Sequence, residues 1–115
     1  MNRFLSSLFA TLILLASSHV FAADAAFEQT FDKNKGSLFA LYSRALRDNP
    51  TIKGRIVFEL DIAASGEVTS CLLKSSELNA PVLEARLLAR IRQFRFPPRS
   101  APARITKEVA FFPAA

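Results

Sequence analysis

The segment from position 55 to position 62 constrains the fold more than any other part of the chain. In Arg55-Ile-Val-Phe-Glu-Leu-Asp-Ile62, large apolar residues occupy every second position and two carboxylates stand between them. A period of two is typical of a β-strand that buries one face and exposes the other. Ser65-Gly66 predicts a turn, because glycine tolerates a positive φ, and the run from Val68 to Ser75 predicts the second strand of a hairpin.

Two other stretches follow the helical period of 3.6. The first starts at Ser37 and is expected to end at Asn49-Pro50, because the residue before a proline is pushed out of the helical region. Its apolar face comprises Leu38, Leu41, Tyr42, Ala45 and Leu46. The second is expected to have Asn79 as its cap and Pro81 in its first turn, and to end near Phe94. Its apolar stripe comprises Val82, Leu83, Leu87, Leu88 and Ile91.

A last apolar stretch, Ile105 to Phe112, predicts a third strand. A helical crossover leaves this strand parallel to the second one, so in an antiparallel sheet it must pair with the first. We therefore predict an α+β domain over residues 37–113, with a three-stranded antiparallel sheet of order 2-1-3 and helices on one face. Lys107 falls on the same side as Ile105 and Val109, which suits an edge strand and not a central one.

The N-terminal residues have the features of a targeting signal. Residues 1–22 contain Arg3, an apolar run and a Val20-Phe21-Ala22 cleavage site, which predicts a secretory signal peptide cleaved after Ala22 and a periplasmic location. An uncleaved membrane anchor is the alternative. Residues 23–36 are expected to form a flexible lead-in or a first, frayed helix.

Residue inventory limits the chemistry. Removal of 22 residues from 115 leaves 93 that contain no His and a single Cys, so His-dependent nucleophiles and His or multi-Cys zinc sites are excluded. We expect no enzyme activity, no cofactor and no metal. Cys71 has no partner for an intramolecular disulfide. The alternation of the second strand predicts that Cys71 lies on the inner face of the sheet, together with Thr69 and Leu73.

The second half of the chain is rich in basic residues. No acidic residue lies between Glu84 and Glu108, whereas six arginines and one lysine do. Helical spacing puts Arg86 and Arg90 on one face, which suits an anionic partner but also an ordinary solvated surface. Nucleic acid is not an expected partner of an exported chain without a recognised nucleic-acid motif. Glu59 and Asp61 are expected to meet only water or Arg55.

An ordered set of short motifs carries a resemblance to a known family. These are Tyr42, Ala45-Leu46-Arg47, Asn49-Pro50, Gly54-Arg55, Gly66-x-Val68, Ser75-Ser76, Phe94-Arg95-Phe96-Pro97 and a final apolar strand. Over residues 38–113 the chain resembles the TonB carboxy-terminal domain superfamily, and within it most resembles the AgmX/PglI carboxy-terminal family. The resemblance implies a small α+β fold and a protein-binding role without catalysis.

Energy-transducing members of that superfamily carry an uncleaved anchor and a long spacer, neither of which is recognised in this sequence. The expectation is a stand-alone exported module that binds an envelope protein or peptide by strand addition at its third strand, through Arg104, Thr106, Lys107 and Glu108. A second copy of the chain is a further possible partner. The alternative is a basic binder of lipid headgroups or cell-wall polymer through Arg86 and Arg90.

Overall fold

The computed structural model describes residues 25–114. The predicted signal peptide at residues 1–22 and its cleavage point lie outside the described residues. The helical residues 25–34 are α1. They are followed by α2 (Gly36–Asp48), β1 (Gly54–Ile62), β2 (Val68–Ser76), α3 (Pro81–Ile91) and β3 (Ala103–Phe111). Within residues 25–114, no helix combines the length and the apolar character needed to cross a bilayer.

The three strands form one antiparallel sheet in the order β2-β1-β3, which confirms the predicted topology and the α+β class. β1 is the central strand, and the apolar residues at every second position of β1 point into the core, as predicted. Its inward residues Ile56, Phe58, Leu60 and Ile62 are at most 1% exposed. The helices add their apolar residues to the same core cluster.

β2 departs from simple alternation. Its pairing register with β1 skips Thr69, which lies between Val68 and Ser70 and forms a β-bulge. Thr69 is therefore exposed, and the expectation that it faces inward is wrong. Cys71, by contrast, is fully buried as predicted. A second register shift adjoins Leu73, which is 37% exposed instead of packed in the core.

The bounds of α3 differ from the prediction at both ends. Ala80, not Asn79, occupies the cap position, because Asn79 has a φ of 49° and turns the chain ahead of the helix. The helix stops at Ile91, well before Phe94. Phe94 and Phe96 are both buried, and this spacing of two requires extended backbone. Val82, predicted on the apolar stripe, is 66% exposed. The buried residues of α3 are Leu83, Leu87 and Ile91.

The segment before α2 is part of the core. Of the two expectations for residues 23–36, the structure shows a helix over residues 25–34, and the flexible lead-in is wrong for those residues. Phe27 and Phe31, one helical turn apart, are at most 3% exposed. The Phe27 ring stacks on Phe96 with 5.0 Å between centroids, and Phe31 meets Phe94 edge-on at 5.6 Å. The domain therefore begins earlier than position 37.

Candidate binding edge

The hydrogen bonds of β1 determine which way the backbone of each strand points. The Arg55 carbonyl accepts the Glu77 N–H at 2.9 Å, and the Ala63 N–H donates to the Glu67 carbonyl at 2.8 Å. In an antiparallel ladder, successive residues direct their N–H and C=O to opposite sides. Odd-numbered residues of β1 therefore bond toward β2, and even-numbered residues bond toward β3.

The register of β3 then identifies its outward residues. Ile105, Lys107 and Val109 lie opposite even-numbered residues of β1 and share backbone hydrogen bonds with them. The intervening residues of β3 direct their N–H and C=O groups away from the sheet and expose their side chains. They are Arg104, Thr106, Glu108 and Ala110. Within residues 25–114, no hydrogen bond outside the sheet ladder occupies these outward backbone groups.

The opposite edge of the sheet is capped just before β2 begins and at one point within β2. Arg95 forms a bridge with Glu67, and the Phe96 N–H donates to the Gly66 carbonyl at 2.9 Å. Further along, the Arg92 guanidinium donates to the Cys71 carbonyl at 3.2 Å. The first cap requires glycine at position 66, because its φ is +93° and a Cβ there would collide with the Phe96 carbonyl. β3 is thus the less obstructed edge.

The side chain of Lys107 contacts α1, which the sequence did not indicate. A lysine on an edge strand usually deters uncontrolled pairing because its charge stays in water. Here its Nζ lies 2.6 Å from Glu28 Oε2 on α1 and 5.3 Å from the centroid of the Phe31 ring. The side chain is only 20% exposed. The ion pair therefore links α1 to β3, and Glu28 largely offsets the charge of Lys107.

Arg104 is also engaged within the domain. Its Nε and Nη2 lie 2.8 Å and 3.3 Å from the two carboxylate oxygens of Asp61, and Nε lies 3.6 Å from Glu59 Oε1. The hydrogen bond from Arg104 holds the pKa of Asp61 below its usual value, and the pKa of Arg104 is raised in turn. Lys74 completes the group at 3.3 Å from Glu59. The expected partner of these carboxylates, Arg55, is replaced by Arg104 and Lys74.

Thr106 and Glu108 complete the outer face of β3. Both side chains are exposed. Thr106 lies opposite Glu59, and Glu108 lies opposite Val57 on the central strand. Among residues 25–114, no cation lies within ion-pair distance of Glu108. Glu108 is therefore an acidic group on the open edge whose charge is not offset within the domain.

Arg86 and Arg90 belong to another part of the surface. Both are exposed on α3, which packs against β2 and α2, whereas β3 lies on the far side of β1. No carboxylate of the described residues pairs with either one. Arg90 lines a shallow groove together with Lys33, Asn34, Ser37, Gln93 and Phe94. The two predicted residue sets thus form two separate surfaces.

Several contacts around these surfaces were missed from sequence. Arg92 and Arg95 cap the β2 edge, and Glu28 pairs with Lys107. The spacing of Phe27 and Phe31 was the one sequence signal that pointed to a packed α1. Burial raises the pKa of the Cys71 thiol to about 11, which makes it a poor nucleophile. The described residues also bring together no group of three or more metal-ligating side chains.

Comparison of the chain with family models, with curated proteins and with solved structures gives no match.

Proposed function

We propose that the protein is an exported, non-catalytic binding module that takes up an extended segment of an envelope protein as an additional strand on β3. One observation carries the proposal: the outward N–H and C=O groups of Arg104, Thr106 and Glu108 form a continuous open edge, whereas the β2 edge is capped at its start and again at Cys71. An incoming strand satisfies such groups in a row, and alternate side chains select the sequence. The resemblance of residues 38–113 to TonB-type domains supports the same role.

The periplasmic location is part of this proposal. It rests on the leader-like residues 1–22 and on the same resemblance.

Specificity at this edge depends on Glu108 more than on Arg104. Asp61 and Glu59 already offset the charge of Arg104, so Arg104 is not the strong selector of acidic partners that the sequence suggested. Glu108 is exposed and favours a partner strand with a basic residue opposite it.

The test uses two substitutions at one position. Thr106→Pro removes an N–H that points out of the sheet, so the β1–β3 ladder stays intact while the incoming strand loses a donor. Thr106→Val keeps the N–H and removes only the hydroxyl. Both variants are first checked for folding by circular dichroism.

Each variant is then immobilised and exposed to an envelope extract, and the strongest captured protein is titrated by calorimetry. We expect Thr106→Val to bind and Thr106→Pro to bind at least about tenfold more weakly, a loss of roughly 1.4 kcal/mol. Equal binding by the two folded variants refutes strand addition at β3.

The second candidate function is binding to an anionic surface through Arg86 and Arg90. The observation in its favour is that both guanidinium groups are exposed and unpaired among the described residues, with Lys33 beside Arg90. Vesicles of anionic phospholipid, compared with zwitterionic vesicles at two salt concentrations, provide the probe. Binding that Arg90→Glu or added salt abolishes, and that Thr106→Pro leaves intact, assigns the function to this face.

A further inference from the structure

We infer that β3 pairs with β3 of a second copy of this chain, antiparallel about a two-fold axis through Thr106, which joins two sheets into one. The inference rests on the proposed function, because the second copy uses the same open edge that a partner strand would use. The side chains of β3 favour one pairing register over its neighbours.

Backbone geometry limits the possible registers. Only residues whose N–H and C=O groups point outward can form the hydrogen-bonded pairs of a new antiparallel ladder. With Thr106 opposite Thr106 of the partner copy, Arg104 lies opposite Glu108 of the partner copy, and the symmetry repeats that pair. Each of the three pairs exchanges two backbone hydrogen bonds.

Side chains on the exposed face favour this register. Opposite charges directly across an antiparallel pair are stabilising, and so are paired threonines. The axis through Thr106 therefore gives two Arg–Glu pairs and one Thr–Thr pair on the same face of the joined sheet.

Neighbouring registers lack these pairs. An axis through Arg104 or Glu108 sets a charged residue against its own copy, which is unfavourable. An axis through Lys107 sets Arg104 against Ala110 and Glu108 against Thr106, so neither charge meets an opposite one. An axis through Ile105 sets Arg104 against Thr106 and leaves Glu108 without a basic partner. Self-association through β3 is thus specific to one register.

The groups needed for these pairs are accessible. Glu108 is exposed and has no cation partner among the described residues. Arg104 gives Asp61 and Glu59 only part of its set of five N–H donors, so donors remain for a carboxylate on the outer side. Lys107, which would otherwise deter edge pairing, is held by Glu28. Pro102, which lacks an N–H, ends the new ladder opposite Ala110 of the partner copy.

The first experiment is sedimentation equilibrium of the exported chain over a range of concentrations. A single added strand pair makes a small interface, so we expect a dimer with a dissociation constant between about 10 µM and 1 mM. Glu108→Arg sets like charges opposite each other and should raise this constant at least about tenfold. Glu84→Arg changes the net charge equally on α3 and should leave the constant unchanged.

Salt and mixing sharpen the test. Added salt should weaken the wild-type dimer and strengthen the Glu108→Arg dimer, because it screens attraction in one and repulsion in the other. Arg104→Glu alone should also repel itself, whereas an equimolar mixture of Arg104→Glu and Glu108→Arg restores two Glu–Arg pairs per heterodimer. Because Arg104→Glu loses the hydrogen bonds to Asp61, this variant is first checked for folding. If it fails to fold, the salt response of Glu108→Arg decides.

A wild-type chain that stays monomeric at about 1 mM, or a Glu108→Arg variant that dimerises like the wild type in low salt, overturns the inference. These outcomes are separate from failure of the proposed function. If the chain is monomeric while Thr106→Pro still loses the captured partner and Thr106→Val keeps it, strand addition stands without the dimer. If the dimer forms but Thr106→Pro binds the captured partner normally, only the proposed function fails.

Discussion

The phenolic hydroxyl of Tyr42 donates a 2.6 Å hydrogen bond to the backbone carbonyl of Ile52. Tyr42 lies on α2 and Ile52 lies in the loop that leads into β1, and both residues are buried. The contact therefore sets the position at which the chain leaves α2 and enters the central strand. Burial also raises the pKa of Tyr42, so the hydroxyl stays protonated and remains a donor.

Tyr42→Phe should destabilise the domain by about 1–3 kcal/mol, because it leaves the buried carbonyl of Ile52 without its donor. Urea denaturation followed by circular dichroism measures the loss. Ser43→Ala, on the exposed side of the same helix, is the control and should change the free energy of unfolding by less than about 0.5 kcal/mol. A neutral Tyr42→Phe would mean that solvent reaches the carbonyl.

Leu87→Ala should cost about 2–5 kcal/mol, because Leu87 is fully buried on α3 and its removal leaves a cavity. Val82→Ala on the same helix is the matched control. Val82 is 66% exposed, so its truncation should fall within about 0.5 kcal/mol of the wild type. Equal losses at the two positions would contradict the orientation of α3.

Phe31→Ala should destabilise the domain by about 3–5 kcal/mol, because this ring of α1 is fully buried against Phe94 and Lys107. Asp32→Ala, one residue on and exposed, serves as the control. Hydrogen exchange of the α1 amides should become faster in Phe31→Ala. If stability and exchange are both unchanged, α1 contributes nothing to the core.

Cys71 should react slowly with thiol reagents in the folded state and fully in denaturant, because it is buried and its pKa is raised to about 11. The folded state holds the thiol proton more tightly than the unfolded chain does. This contribution to stability is complete below the ordinary pKa of 9.0 and is lost as the pH rises toward 11. The urea midpoint of the wild type should therefore fall over that interval relative to Cys71→Ala. Rapid stoichiometric labelling without denaturant would show that Cys71 is accessible.

Cleavage after Ala22 is the remaining prediction from residues 1–22. Mass spectrometry of the protein extracted from the envelope should give a chain that begins at Ala23. Ala22→Arg, which places a large charged residue at the cleavage position, should leave the leader attached. A wild-type species that retains Met1 in the membrane pellet would favour an anchored protein.

The sheet could be predicted from sequence because local periodicity and one topological rule were sufficient. The alternation in β1 fixed its inward residues, and the crossover helix fixed β3 beside it. Details that depend on distant contacts were not predictable in this way. The bulge at Thr69 resets the alternation of β2, and the Asn79 turn displaces the start of α3.

The candidate site shows the same division. Sequence alone placed Arg104, Thr106, Lys107 and Glu108 on an edge strand, and the structure places them there. Sequence alone did not show that Asp61 and Glu28 take up the charges of Arg104 and Lys107, because these ion pairs join elements far apart in the chain. Among the described residues of this edge, Glu108 is therefore the charged group without an ion-pair partner.

The ion pair between Lys107 and Glu28 also bears on the time course of folding, since these residues are 79 positions apart. Phe27 and Phe31 likewise find their ring partners, Phe96 and Phe94, near the opposite end of the chain. During synthesis the N-terminus leaves the ribosome first. α1 therefore cannot pack against its partners until almost the whole chain has emerged. Closure of such distant contacts is slow compared with formation of a helix or a hairpin. The core therefore cannot close over α1 until β3 has emerged, so the N-terminal helix is the last element to find its packing partners.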